Sequence, residues 1–184
     1  KKGIVAMKLS KTTIGLAAAA MLLAGCAAQQ TNNTSAASGE TSAQIANPTK
    51  QVTKEELARQ TGIELDAAQG AQDVVFTVID DADGGKLAQV SFTLDGTEYN
   101  YRAESVSDPE GKDISGVYGQ WTSEEPVEIQ HCKGTYKTGS EGSVVVWTDV
   151  APGISYSLST NGKTDKDSLV KMASSLFVPA QGEV

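Results

Sequence analysis

After residue 72 the chain is written largely in twos, in short apolar runs broken by turn residues. "DVVFTVID" (73–80) holds β-branched and aromatic residues at strand density. "DADGG" (81–85) breaks it, and "KLAQVSFTL" (86–94) resumes with Leu87, Val90, Phe92 and Leu94 as its apolar members. Asp95-Gly96 is a strong two-residue hairpin signal. "TEYNYRAES" (97–105) follows, with Tyr99 and Tyr101 on one face, and the three strands read as a meander. Asp108-Pro109 marks a connection. "VYGQW" (117–121) reads as a strand or an irregular crossing. "PVEIQHCKGTYKTG" (126–139) alternates Val127, Ile129 and His131 against Glu128, Gln130 and Cys132. "GSEG" turns the chain into "SVVVWTD" (143–149), the most apolar run and hence an expected central strand. After Ala151-Pro152-Gly153, "ISYSLST" (154–160) pairs back, with Ile154, Tyr156 and Leu158 on one face.

Two stretches carry the helical period instead. In "VTKEELARQTGIEL" (52–65), Thr53 is placed to cap a helix and Glu56 lies three residues on, as in a capping box. Gly62 suits a left-handed C-terminal cap. In "TDKDSLVKMASSLF" (164–177), Thr164 is the expected cap. Asp165 and Asp167 complement the positive helix end, and Leu169, Met172, Ala173 and Leu176 fall on one stripe. Pro179 bars continuation.

The order is helix, three strands, a connection, three or four strands, helix. Short turns between strands require antiparallel pairing. The expected fold is α+β: a curved, mostly antiparallel sheet of about six strands, with an N-terminal and a C-terminal helix packed on one face. No internal repeat is strong enough to indicate duplication.

Ahead of this domain the pattern differs. Lys8 and Lys11 precede an apolar run from Thr12 to Leu23, too short for a spanning helix of about 20 apolar residues. The charged start, the apolar run and the small residues after it are the parts of an export signal. The run ends in Leu23-Ala24-Gly25-Cys26, which resembles the bacterial lipobox. The resemblance implies that Cys26 is acylated through its sulfur and becomes the first residue after cleavage. Residues 1–25 are then a lipoprotein signal peptide, with Met7 as the natural start and residues 1–6 an upstream extension. Residues 26–46 are rich in Ala, Ser, Thr, Asn and Gln. They lack the apolar surface needed to offset ordering entropy and are expected to be a lipid-anchored flexible tether. Residues 47–184 form the single extracytoplasmic domain.

Charge narrows the partners. The formal net charge is -8, and four of the 15 basic residues (Lys1, Lys2, Lys8 and Lys11) lie in residues 1–25, which hold no acid. The remainder opposes 23 acidic residues with few bases. That argues against a nucleic-acid binder, whose affinity draws mostly on Lys and Arg neutralising phosphates.

The stretch "VVVWTDVAPGISYSLSTNGKTDKDSLVKMASSL" resembles the end of an extracytoplasmic domain family of Gram-positive bacteria. The carrying residues are Trp147, then Tyr156, Ser157 and Leu158, then Met172, Ala173, Ser175 and Leu176. "NPTKQVTKEELARQTGIEL" is similar to the family's opening helix. This domain of unknown function occurs in lipoproteins and attached to anti-sigma-type transmembrane regulators. The resemblance implies location and fold and transfers no catalytic residue.

Candidate chemistry is sparse. His131 is the single histidine, and it adjoins Cys132. Strand neighbours point to opposite faces, so the two are not expected to meet as a nucleophile pair, and a His/Cys metal site lacks further ligands. Asp80 to Gly85 resembles a fragment of a calcium loop, with Asp81 and Asp83 as alternative metal contacts, but the twelfth-position Glu is missing and a solvated turn accounts for it. Trp121, Trp147, Tyr156, Tyr99 and Tyr101 are a candidate ligand groove, against the plainer reading that they pack the core. No catalytic residue and no cofactor is assigned.

The expectation is therefore a membrane-anchored, non-enzymatic binding or sensing lipoprotein at the cell envelope. It is a monomer, held to the membrane through Cys26 and meeting an envelope protein or a small ligand. The alternatives are a lipid- or substrate-binding, chaperone-like lipoprotein and an envelope hydrolase.

Overall fold

A computed structural model describes residues 48–81, 84–108 and 112–179. The elements in order are β1 (Thr49–Val52), α1 (Lys54–Thr61), β2 (Gln72–Asp80), β3 (Lys86–Leu94), β4 (Thr97–Ser105), β5 (Trp121–Ile129), β6 (Cys132–Gly139), β7 (Gly142–Asp149), β8 (Ile154–Thr160) and α2 (Lys166–Leu176). One antiparallel sheet contains all eight strands, in the order β1-β2-β3-β4-β8-β7-β6-β5. Each half is a meander that starts at an edge and works inward, so β4 and β8 meet in the middle. Among the described residues no helix is long and apolar enough to cross a membrane.

The sheet has eight strands rather than about six, and both extra strands are edge-related. β1 is four residues long and largely exposed, so it carries no burial pattern to read. The expected single strand over 126–139 is two strands: β5 ends at Ile129, β6 starts at Cys132, and Gln130 and His131 form the turn between them. Gln130 takes φ +53, a left-handed value at the first loop position that primed hairpin turns require. No Gly, Asn or Asp announces that turn.

The pairing register sorts side chains cleanly. One row runs Val78, Ala88, Ala103, Tyr156, Trp147 and Gly134 across β2, β3, β4, β8, β7 and β6. The next runs Phe76, Val90, Tyr101, Leu158, Val145 and Tyr136. Both rows belong to the face that the helices cover. α1 lies on β2 and β3 and brings Leu57 into the core, while α2 lies on β5 and β7 and brings Leu169, Ala173 and Leu176.

The helix ends follow local chemistry. The Thr53 side chain accepts from the Glu56 N–H, and Gly62 closes α1 at φ +73. The Glu56 carboxylate turns to Arg59 instead of completing the box. In α2 the cap is Asp165, not Thr164: its carboxylate accepts from the Ser168 N–H. Thr164 is held one step earlier. Its carbonyl accepts from Tyr136 and Ser143, and its N–H donates to the Ser143 hydroxyl.

The aromatic core sits between α2 and the sheet. Trp147 and Tyr156 stack at 5.4 Å, Tyr101 lies 6.0 Å from Trp147, and Phe177 meets the pair edge-on. Gly134 makes the space for Trp147, since a Cβ there would stand 3.0 Å from the Trp147 Cβ and 2.6 Å from the Val146 oxygen.

The other face is polar and has a different cover. β8 presents Ser155, Ser157 and Ser159 to it, all buried. Because β4 is central and β5 is an edge, the connection between them must travel across the sheet. Its stretch 112–120 ties to the polar face through side chains. Arg102 donates to the Ile114 carbonyl at 3.2 Å and to Gln89 at 2.7 Å. Gly116 lies so close that a Cβ would stand 2.0 Å from the Arg102 Nη1. Lys112 bridges Asp81 at 2.8 Å and the buried Glu104 at 3.0 Å.

Candidate functional site

A groove of about 760 Å³ lies on the polar face, not under the helices. Lys133, Thr135 and Lys137 of β6 and Val146 and Thr148 of β7 face it. These positions alternate with the core residues of the same strands, so strand periodicity makes a polar surface opposite an apolar one. Lys112 and Asp113 of the connection form a wall. At one end the groove reaches His131, Cys132 and Asp149.

Electrostatics stiffen the wall. Asp113 pairs with Lys137 at 3.1 Å. Burial alone would push the Asp113 carboxyl up, but hydrogen bonds from the Ser115 side chain and backbone, together with Lys137, hold it below the usual range. The hydrogen bond to Asp81 raises Lys112, against burial and with help from Glu104. Burial lowers Arg102, offset in part by Tyr118 and Asp113.

The groove's end holds three unlike side chains. The donor atoms of His131, Cys132 and Asp149 lie within 4.8 Å of one another. Alternation along a strand does not separate His131 from Cys132, because His131 belongs to a turn. The turn is docked: the Gln130 amide donates to the Ser174 and Phe177 carbonyls at the end of α2. The His131 ring lies 6.0 Å from Phe177. Asp149 joins through register. Gly134 pairs with Trp147, so the next position on the same face sets Cys132 against Asp149. The signal was present in sequence: a turn at Ser140-Glu141 fixes that pairing by counting. It was hidden by the unannounced turn at Gln130.

Burial, aided by Asp149, pushes the Cys132 thiol up to about 11. At neutral pH it is a protonated thiol and a poor nucleophile. Burial likewise pushes the Tyr156 hydroxyl up to about 12, with Asp149 and Cys132 contributing.

The five aromatics of the candidate groove do not form one surface. Tyr101, Trp147 and Tyr156 are buried in the core. Tyr99 is half-buried and stacks on Phe92 at 5.3 Å. Trp121 alone faces the polar side. Ser123 pairs with Thr138 but Trp121 pairs with Gly139, and this bulge turns the indole to the other face. Lys137 sits 5.8 Å above it. Of the alternative metal contacts, Asp81 is engaged by Lys112 and Asp83 lies outside the described residues. Cys26 and the tether lie outside them too.

Comparison of the chain with family models, with curated proteins and with solved structures finds no match.

Proposed function

We propose that this protein is a lipid-anchored, extracytoplasmic binding or sensing lipoprotein rather than an enzyme, and that the polar-face groove is its binding surface. The observation that carries the anchor is the ordered run of Lys8 and Lys11, an apolar stretch, Leu23-Ala24-Gly25-Cys26 and a polar tether. Acyl chains contribute about 0.8 kcal/mol per buried CH2, so a multiply acylated Cys26 holds the domain at the membrane. The resemblance to Gram-positive extracytoplasmic domains supports the same location. The groove supports binding: it is large enough for a small ligand or a peptide segment. The lipid-carrier alternative needs apolar space beneath the helices, where Tyr101, Trp147, Tyr156 and Phe177 are packed.

Intact-mass measurement of the full chain, extracted from membranes of a bacterium that processes lipoproteins, tests the anchor. The expected species begins at an acylated Cys26, and Cys26→Ala abolishes palmitate incorporation. An unacylated chain that keeps residues 1–25 would remove the proposal. For the groove, a photo-crosslinking residue at Thr135 should capture a ligand that one at Glu55, on the far helix, does not. Equal adducts from both positions would reject the groove as the binding surface.

A further inference from the structure

We propose that His131, Cys132 and Asp149 form a binding site for a zinc-like divalent ion, with a fourth coordination position open to the groove. The inference stands apart from how the chain is anchored.

Three observations carry it. The first is convergence: residues 131, 132 and 149 bring one nitrogen, one sulfur and one oxygen donor within 4.8 Å of each other. In a tetrahedral zinc site with bonds of 2.0–2.3 Å, donors stand roughly 3.3–3.8 Å apart. His131 Nε2 and Asp149 Oδ1 are already 3.8 Å apart. The His131 side chain is 61% exposed and sits on a turn, so its ring has room to move toward the other two donors.

The second is the state of Asp149. Its side chain is only 5% exposed, and its one ion-pair neighbour among the described residues is the His131 imidazole. A buried carboxylate needs hydrogen bonds, a counter-charge or a metal to offset its lost hydration. The imidazole at 3.8 Å is beyond hydrogen-bond reach. By contrast, Asp81, Glu104 and Asp113 each have a lysine at 3.1 Å or less. Asp149 is left with a thiol and an imidazole, both of which are metal ligands.

The third is charge and chemistry. A divalent ion displaces the thiol proton of Cys132 to solvent, and the resulting thiolate, with the Asp149 carboxylate and a neutral His131, neutralises the ion. A neutral assembly suits a buried position. A mixed sulfur, nitrogen and oxygen set favours zinc over calcium or magnesium, which take oxygen. The docking of the turn by Gln130 and the packing of Phe177 on the imidazole orient the ligand in advance. The exposed side of His131 opens on the groove, so the fourth position takes water or a donor from a groove ligand.

Cobalt and zinc salts alone are the probes. The full chain carrying Cys26→Ser, so that Cys132 is the one remaining thiol, is stripped with a chelator and titrated. One equivalent of cobalt should produce a thiolate-to-metal charge-transfer absorption, zinc should displace it, magnesium should not, and zinc should raise Tm. Cys132→Ser should abolish the absorption. His131→Ala changes an exposed side chain and leaves the core in place. It should weaken binding at least about tenfold, since even losing an outer-sphere partner has that effect. No absorption and no Tm shift at millimolar metal would overturn the site, as would a His131→Ala variant that binds as tightly as its parent.

Discussion

The two faces of the sheet are built from the same strands but are held by different physics. The helix-covered face is closed by non-directional burial: Leu57, Val90, Leu158 and Leu169 are fully buried, and aromatic rings fill what remains. The polar face is closed by directional contacts from one connection, with Lys112, Asp113, Ile114 and Gly116 touching Asp81, Glu104, Lys137 and Arg102. An apolar face tolerates any close-packed cover, whereas a polar face must satisfy each group it hides. Ser157 Oγ is buried there without a partner among the described residues. The groove lies on the face where matching is hardest.

Breaking each face in turn should separate the two kinds of cohesion. Trp147→Ala should have the largest effect, about 3–5 kcal/mol in urea unfolding, since it empties the centre of the aromatic stack. Trp147→Phe should recover much of that, because the indole Nε1 is itself buried without a partner among the described residues. A Phe variant as unstable as the Ala variant would point to an indole contact that the packing does not explain.

Lys112→Ala should come next. It strands Glu104, whose side chain is 5% exposed, but Lys112 itself is 44% exposed, so the loss is discounted to about 1–2 kcal/mol. The connection should also become more accessible to proteases. Adding Glu104→Gln should return part of the stability, because the uncompensated charge is then gone. A double variant no better than the single one would show that the bridge does not hold the polar face.

The smallest effect concerns pH. Asp113 is held below its ordinary value in the folded state, so its contribution is fully present above about pH 4, where the unfolded carboxyl is also ionised. It is lost as pH falls through the lower folded value. A Tm profile of Asp113→Asn should therefore run below the parent at neutral pH and converge with it in acid. Parallel profiles would remove Asp113 from the account.

Elements whose signals were local were legible in advance. Asp95 and Gly96 turn with φ +51 and +77, Thr53 and Gly62 bound α1, and the stripe Leu169, Ala173, Leu176 is the buried face of α2. What escaped were features with no local mark. β1 is short and exposed, Gln130 turns without a turn residue, and the helix cap moves to Asp165 because Thr164 is engaged by distant Tyr136 and Ser143.

The sequence alone determined the period of strands such as β3, β7 and β8, and with it which of their residues could share a face, because side chains on regular extended backbone alternate. Tertiary structure decided which strand lay beside which, and so which chemistry met. Cys132 and Asp149 are 17 residues apart and become neighbours through the β6–β7 register, and His131 reaches them because an unmarked turn lifts it out of the strand pattern. Proximity across a sheet is set by pairing, and no property of a single residue encodes it.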